Sequence, residues 1–418
     1  MTKKSKTAES NPLNFYYEDI ETLIPYARNS KQHSDKQIDQ IAASIREFGF
    51  LSPIVITEDN TVLAGHGRLL GAKKLGLKKV PCVKEDHLTE AQKRAYIIAD
   101  NKIGENATWD NEMLNVELSD LQEQAFDLSL LGFDEKELAG IFDDGTEGHD
   151  DGFDVEAELE NPVFSKAGDI WMLGNHRVIC GDSTKEEVFN RLMDGKKANM
   201  VLTDPPYNVD VEETAGKILN DNMADAEFYQ FLLSAFINMH NVMADDASIY
   251  CFHADTEGLN FRRAFQDAGF YLSGCCIWKK DSLVLGRSPY QWMHEPCLFG
   301  WKQKGRHEWY ADRKQTTIWE FDKPRASKDH PTMKPVPLLV YPIKNSSMSN
   351  CIVLDPFLGS GSTLIACEQA DRICYGIELD EKYVDVIVKR YIEQKGSDSD
   401  VFVIRDGSKI SYHAAISS

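Results

Sequence analysis

Two apolar runs, each breaking into a turn rich in reactive and glycine residues, constrain this chain more than any other feature. Met200-Val201-Leu202 leads into Asp204-Pro205-Pro206-Tyr207, and Cys351-Ile352-Val353-Leu354 leads into Asp355-Pro356-Phe357-Leu358-Gly359-Ser360-Gly361. Short continuous apolar runs bounded by turn signals read as buried strands, and open α/β sheets bind ligands outside the carboxyl ends of such strands. Both turns therefore fall where a site is expected.

At 418 residues the chain exceeds one ordinary core, so two or three domains are expected. No stretch approaches the roughly 18 continuous apolar residues of a membrane helix, and Met1 to Asn11 is polar, which predicts a soluble cytoplasmic protein. The nine cysteines are scattered without a C-x-x-C pair, which suits reduced thiols and indicates neither a disulfide framework nor a metal site. A net charge of −21 argues against indiscriminate polyanion binding, so any nucleic-acid contact needs a local basic surface. Residues 279–329 offer one, with eleven Lys and Arg against seven Asp and Glu.

Composition divides the chain. Between Asp143 and Glu160 there are nine acidic residues, three glycines and no Lys or Arg, a pattern that reads as an acidic linker over 143–160. Before it, Ser34 with Gln37 predicts a capped helix whose Ile38, Ile41, Ile45 and Phe48 share one face and which ends at Gly49. Strands are predicted over 53–57, 61–64 and 80–84, with a helix after Gly65-His66-Gly67-Arg68 and another capped by Thr89 and Gln92. This order resembles the amino-terminal domain of ParB-type partitioning proteins over about residues 15–105, and a ParB-like domain is assigned to 15–142. Its glycine loop, Gly65, His66, Gly67 and Arg68, is a candidate nucleotide or phosphate site, because glycines let N–H groups point at an anion where a helix begins. The partitioning family usually has a glutamate and paired arginines here, so the resemblance does not carry nucleotide hydrolysis across.

Residues 161–406 resemble the β-group of DNA amino-methyltransferases, in which the catalytic half precedes the cofactor half. The carrying motifs are Asp204-Pro205-Pro206-Tyr207, then His330-Pro331-Thr332-Met333-Lys334-Pro335, then the Phe357-to-Gly361 loop. The resemblance implies a Rossmann-like three-layer α/β/α sandwich with a mixed, mostly parallel sheet, S-adenosylmethionine as cofactor, and double-stranded DNA with a flipped target base as substrate. It implies cofactor contacts from Asp182, Lys334, Asp355, Phe357, Gly359, Gly361, Ser362, Thr363 and Glu378, with Lys334 and Asp355 near the methionine end and Glu378 on the ribose hydroxyls. Target recognition is assigned to 281–329, where basic residues interleave with Trp292, Trp301, Trp309 and Trp319. The segment from Asn208 to Ala224 is a candidate closing loop. The amino-terminal domain is a candidate for further DNA contacts or a homodimer interface.

The residue types suit the chemistry. An exocyclic adenine amine is a poor nucleophile because its lone pair is delocalised into the ring. The Asp204 carboxylate and Pro205 carbonyl can accept the two amine hydrogens and localise that pair, an interaction that strengthens toward the transition state. Tyr207 offers a face for base stacking, and the base must leave the duplex to reach it. Aspartate first in this motif favours adenine N6. Cytosine N4, for which the family usually has serine, is the nearest alternative, followed by an inactive transferase carried by a nucleotide-switched DNA-binding module, and by RNA or protein glutamine methylation.

Overall fold

The computed structural model describes residues 14–142, 147–208, 212–213, 216–217, 222–284, 289–322 and 333–417. The chain forms two compact units, Met1–Asp144 and Gly145–Ser418.

In the first unit, β1 (Phe15–Asp19), β2 (Ile24–Pro25), β3 (Ile54–Ile56), β4 (Thr61–Ala64) and β5 (Lys79–Lys84) form a sheet in the order β1-β5-β3-β4-β2. Helix α1 (Asp35–Phe48) starts where the Ser34 side chain accepts from Gln37 N–H, although Gln37 turns its own side chain to His33 rather than closing a reciprocal box. Helix α2 (His66–Lys74) packs on α1, and α3 (Glu90–Gly104) begins with the full Thr89/Gln92 capping box. The strands bury Ile54, Ile56, Val62, Val80 and Cys82 with Leu69 and Ala72 of α2. Two more helices follow, α4 (Asn111–Glu123) and α5 (Glu135–Phe142).

In the second unit a short helix α6 (Val155–Leu159) precedes β6 (Ile170–Leu173), β7 (His176–Cys180), α7 (Glu186–Met193), β8 (Ala198–Thr203), β9 (Glu212–Glu213), β10 (Gly216–Lys217), α8 (Asp225–Val242), β11 (Met243–Phe252), α9 (Gly258–Asp267), β12 (Phe270–Val284), β13 (Trp292–Lys302) and β14 (Ile318–Glu320). The chain continues through α10 (Val336–Ser346), β15 (Ile352–Asp355), α11 (Ser362–Gln369), β16 (Ile373–Glu378), α12 (Glu381–Lys395), β17 (Val401–Arg405), β18 (Ser408–Ser411) and α13 (Tyr412–Ala415). The large sheet has the order β14-β12-β13-β11-β8-β15-β16-β7-β6-β17-β18, parallel from β11 through β7 and antiparallel where β13, β6 and β17 join.

Side chains alternate across this sheet, as a strand buried on both faces requires. Met200, Leu202 and Val353 face α10, α11 and α12, while Val201, Ile352 and Leu354 face α7, α8 and α9. Helix α8 turns Phe228, Phe231, Leu232, Ala235, Phe236, Met239 and Val242 inward at helical spacing. The result is the Rossmann-like α/β/α sandwich that the sequence predicts.

The expected linker departs from its sequence reading. Residues 143–146 lie outside the described residues, but Asp151 is buried in a salt bridge with Arg390, and Val155 of α6 is 5% exposed. The acidic composition is misleading because the fold supplies a buried cation for one of these charges, and backbone donors for others.

The expected recognition segment is split. Strand β13 runs antiparallel to β11, so Cys297 lies at the carboxyl end of β11 and Trp301 toward its start. Lys302 donates to Met243 O, Glu308 N–H to Asp246 O and Tyr310 N–H to Asn345 O, which places residues 302–310 at the end of the sheet opposite Asp204. Trp301 stacks there on His307 at 4.0 Å, and Trp278 and Trp319 are core residues at 2% and 4% exposure. Within 281–329, the described residues at the same end as Asp204 are the carboxyl ends of β12 and β14 and the start of β13; Arg287, Lys323, Arg325 and Lys328 lie outside the described residues.

Candidate active site

Strands β8 and β15 are parallel neighbours, with Val201 opposite Leu354. From β8 the chain proceeds through α8 to β11 on one side, and from β15 through α11 to β16 on the other, so the crevice between their carboxyl ends is a topological switch point. The two motifs open into it side by side. They are also tied together, since the Thr203 hydroxyl donates to Asp355 Oδ1 at 2.9 Å.

Asp355 is the centre of that tie. Its carboxylate also accepts from the Thr363 hydroxyl at 2.6 Å and from Phe357 N–H at 3.1 Å. Burial pushes its pKa up to about 6 against these donors. Its oxygens are thus engaged by donors from the β8 end, the turn and the start of α11.

The Asp204 side is a compact charged cluster. The Tyr207 hydroxyl donates to Asp204 Oδ1, and the Lys334 ammonium donates to Asp204 Oδ2 and, at 3.1 Å, to Tyr207 Oη. Lys334 also pairs with Glu295 of β13 at 3.1 Å, and Glu295 pairs with Lys280 of β12. Two carboxylates and two ammoniums therefore balance in a region where Lys334 and Lys280 are each 6% exposed, and an unpaired charge there would cost several kcal/mol. Burial raises the Asp204 pKa, Lys334 opposes the rise and Glu295 adds to it. Burial also works against charge on Glu295, but Lys334 and Lys280 outweigh it and hold that carboxyl at about 2. The Asp204 side chain nevertheless remains 29% exposed, so one face is open to a substrate. Lys334, expected to contact the cofactor near its methionine end, pairs with Asp204 and Glu295. Tyr207 meets Phe261 edge-on at 6.4 Å.

The other wall is the glycine turn. Gly359 and Gly361 have φ of +52° and +87°, the left-handed region where a Cβ is penalised. A Cβ on Gly359 would meet nothing within 4 Å, so the turn faces open space there, whereas one on Gly361 would lie 3.1 Å from Ile387. Glu378, at the end of β16, accepts from Gly359 N–H at 2.8 Å and from Asp380 N–H at 2.9 Å. Burial lifts its pKa to about 7 despite these two bonds. Asp182 follows β7, and its carboxylate accepts from Thr184 N–H and hydroxyl at 2.8 Å each. The adjacent Ser183 hydroxyl donates to Pro356 O, joining this turn to the β15 end. Phe357 packs against Phe231 of α8 at 5.7 Å. Ser362 and Thr363, expected to contact the cofactor, bond their side chains within the protein: Ser362 Oγ accepts from Arg390 at 3.2 Å and the Thr363 hydroxyl donates to Asp355. Only their backbone N–H groups, at the start of α11, remain suited to a ligand.

In the first unit, Gly65 (φ +97°) caps α2 and lets Arg68 fold back, since a Cβ there would sit 3.0 Å from its guanidinium. His66 Nε2 accepts from Tyr26 N–H at 3.2 Å, and burial lowers its pKa, so it is held as a neutral turn residue. Gly67 faces α1, where a Cβ would lie 2.9 Å from Ile41 and 3.0 Å from His33. It serves helix packing. Among the described residues, Arg68 Nε is buried without a hydrogen-bond partner.

Most of the expected closing loop, Asn208 to Ala224, lies outside the described residues. Its ends are pinned by a pair of bonds between the Asn208 side chain and the Met223 backbone, at 2.6 and 3.2 Å. Glu295 escaped the sequence reading, and Lys280, counted there in the local basic surface, is buried at 6% exposure. Their signal is a charge at an inward-facing strand position, since Lys280 shares the period-two face of Trp278. Among the described residues no His, Cys, Asp and Glu cluster could hold a metal, and no helix is long and apolar enough to cross a membrane.

Residues 198–389 match the DNA methylase family, residues 4–101 the ParB N-terminal domain, and residues 112–167 a ParB-methyltransferase HTH domain that the sequence reading did not recognise in α4 and α5. The chain is 29% identical over 231 residues to the putative methylase YubD of Escherichia coli K12, covering 50% of this chain and 91% of that protein. It is 38% identical over 85 residues to the ParB-like nuclease domain-containing protein YnaK of the same organism, covering 20% of this chain and 98% of that protein. The type II methyltransferase M.HpaI of Haemophilus parainfluenzae is 24% identical over 238 residues, covering 52% of this chain and 74% of that protein. A crystal structure of an M1.HpyAVI–SAM complex overlaps 51% of this chain and 98% of its own at a TM-score of 0.41 and 22% identity. The chain carries a DNA methylase domain of the N6/N4 family over residues 198–389, behind a ParB N-terminal domain over residues 4–101.

Proposed function

We propose that this protein methylates the N6 amine of adenine in DNA, with S-adenosylmethionine as donor. One observation supports this above the others: Asp204 and the Phe357–Gly361 turn stand at the ends of adjacent parallel strands joined by the Thr203–Asp355 bond.

The residues present fit the cofactor. Glu378 is a desolvated carboxylate beside the open side of Gly359, suited to ribose hydroxyls, while Asp182 stands next along the strand ends and the start of α11 offers backbone donors. When bound, the cofactor supplies an electrophilic methyl on sulfur.

Asp204 and the Pro205 carbonyl accept the amine hydrogens. To free an Asp204 oxygen, Lys334 gives up its bond there, and Glu295 keeps the ammonium paired when it does. The donor would supply its methyl to the amine nitrogen, which would carry a positive charge until it gives up a proton. The nitrogen then loses a proton to Asp204, whose raised pKa suits an acceptor better than that of Glu295, held at about 2. Tyr207, backed edge-on by the fully buried Phe261, offers an aromatic face for the flipped base. Aspartate in the first motif position favours adenine over cytosine N4. Mass spectrometry of nucleosides from DNA treated with enzyme and donor is expected to show N6-methyladenine; N4-methylcytosine would transfer the reading to the alternative base.

A second reading concerns the first unit. The unpartnered Arg68 Nε beside the Gly65 turn favours a phosphate-bearing ligand at Gly65–Arg68.

A further inference from the structure

Residues 148–151 follow the first unit in sequence and lie along the back of the proposed site. Gly148 (φ +69°) runs so close to α10 that a Cβ would sit 2.7 Å from Val340. The His149 backbone exchanges two hydrogen bonds with the side chain of Gln369, the last residue of α11, both at 2.9 Å. Asp150 Oδ1 accepts from Val336 N–H at 2.8 Å, at the start of α10 and two residues beyond Lys334. Asp151 pairs in bidentate fashion with Arg390, at 2.6 and 3.0 Å. The remaining arm of Arg390 donates to Ser360 O at 3.0 Å and to Ser362 Oγ at 3.2 Å, within the glycine turn.

This arrangement is more than packing demands. A buried ion pair is weak evidence for stability, because desolvation can exceed the attraction and apolar side chains of similar size often serve as well. Charged groups do supply direction, and here each points to one wall of the pocket. One set of contacts reaches the donor turn and the other reaches the base of Lys334.

We propose that residues 148–151 form a positioning strap: Asp151, through Arg390, holds the Ser360–Ser362 turn in its donor-binding shape, and Asp150, through Val336, holds Lys334 against Asp204. Neither aspartate touches substrate or donor. The inference rests on the methyltransferase reading above and assigns each strap residue a separate kinetic signature.

The test uses the full chain. In Asp151→Asn, the KM for donor and the calorimetric Kd for S-adenosylhomocysteine are expected to rise about tenfold, with kcat at saturating donor within about twofold. In Asp150→Ala, kcat is expected to fall about tenfold with the Kd for S-adenosylhomocysteine within about twofold, and Asp150→Asn, which keeps the accepting oxygen, is expected to restore kcat. A measurement free of substitutions accompanies these: S-adenosylhomocysteine is expected to slow amide exchange at 148–151 as well as at 358–363. Variants that melt earlier but keep wild-type KM, kcat and Kd, or a strap whose exchange ignores S-adenosylhomocysteine, would reduce it to packing and overturn the proposal. A wild-type chain that neither binds S-adenosylhomocysteine nor transfers methyl groups would remove the proposed function and the strap's role together.

Discussion

The chain contains two turns built alike, and their neighbours make them different. Gly65-His66-Gly67-Arg68 and Leu358-Gly359-Ser360-Gly361 both carry a strand into a helix through glycine with positive φ. In the first, the second glycine is consumed by the approach of α1, the histidine is held neutral by burial, and Arg68 folds back over the turn. In the second, the turn opens at a switch point where β8 delivers Asp204 and β16 delivers a half-buried Glu378. A glycine turn is therefore a permission rather than a site, and the strands arriving beside it decide what it does.

The contrast is broken most forcefully at Asp204. Asp204→Ala should reduce methyl transfer by about a thousandfold or more in a labelled-methyl assay while leaving donor affinity within about threefold. If transfer persists, the pairing of Asp204 with the second turn is not what makes that turn functional.

Glycine replacement sharpens the comparison at intermediate size. Gly361→Ala places a Cβ at φ +87° and 3.1 Å from Ile387, so it should cost about 1–2 kcal/mol of stability and raise the donor KM. Gly67→Ala meets side-chain atoms of Ile41 and His33 on a helical backbone, so about 1–3 kcal/mol of strain should appear in unfolding of the first unit with donor KM unchanged. Equal effects of the two on donor KM, measured beside melting curves, would erase the distinction.

The smallest effect is in pH. The folded Glu378 pKa, raised to about 7 by burial, makes the ligand-free protein bind a proton that the unfolded chain releases nearer 4.5, so this group's contribution to stability declines as pH rises between those values. Ribose hydroxyls favour the ionised carboxylate, so donor binding should release protons near pH 7 and weaken as pH falls below it. Calorimetry in buffers of different ionisation enthalpy checks the proton count. Glu378→Gln should flatten the dependence.

Much of this was legible in the sequence, for reasons that vary by residue. The apolar runs 200–202 and 351–354 are two-sided buried strands, and a strand end followed by Asp-Pro-Pro-Tyr or a glycine turn has few other places to go. The placement of Lys334 was not legible, because its partner Glu295 is 39 residues away in sequence and meets it only after β12 and β13 pair. The burial of Asp151 was hidden by composition, since nothing local announces Arg390. The tryptophans from Trp301 to Trp309 were misread because an antiparallel return carries them to the far end of the sheet.

One structure tests the central claim most directly: the chain bound to S-adenosylhomocysteine and a DNA duplex containing its target sequence. The expected result is an exocyclic amine within hydrogen-bond reach of Asp204 and the Pro205 carbonyl, facing the donor sulfur across the Phe357–Gly361 turn, with Lys334 swung toward Glu295. An Asp204 carboxylate directed away from that turn, or a donor bound elsewhere, would contradict it.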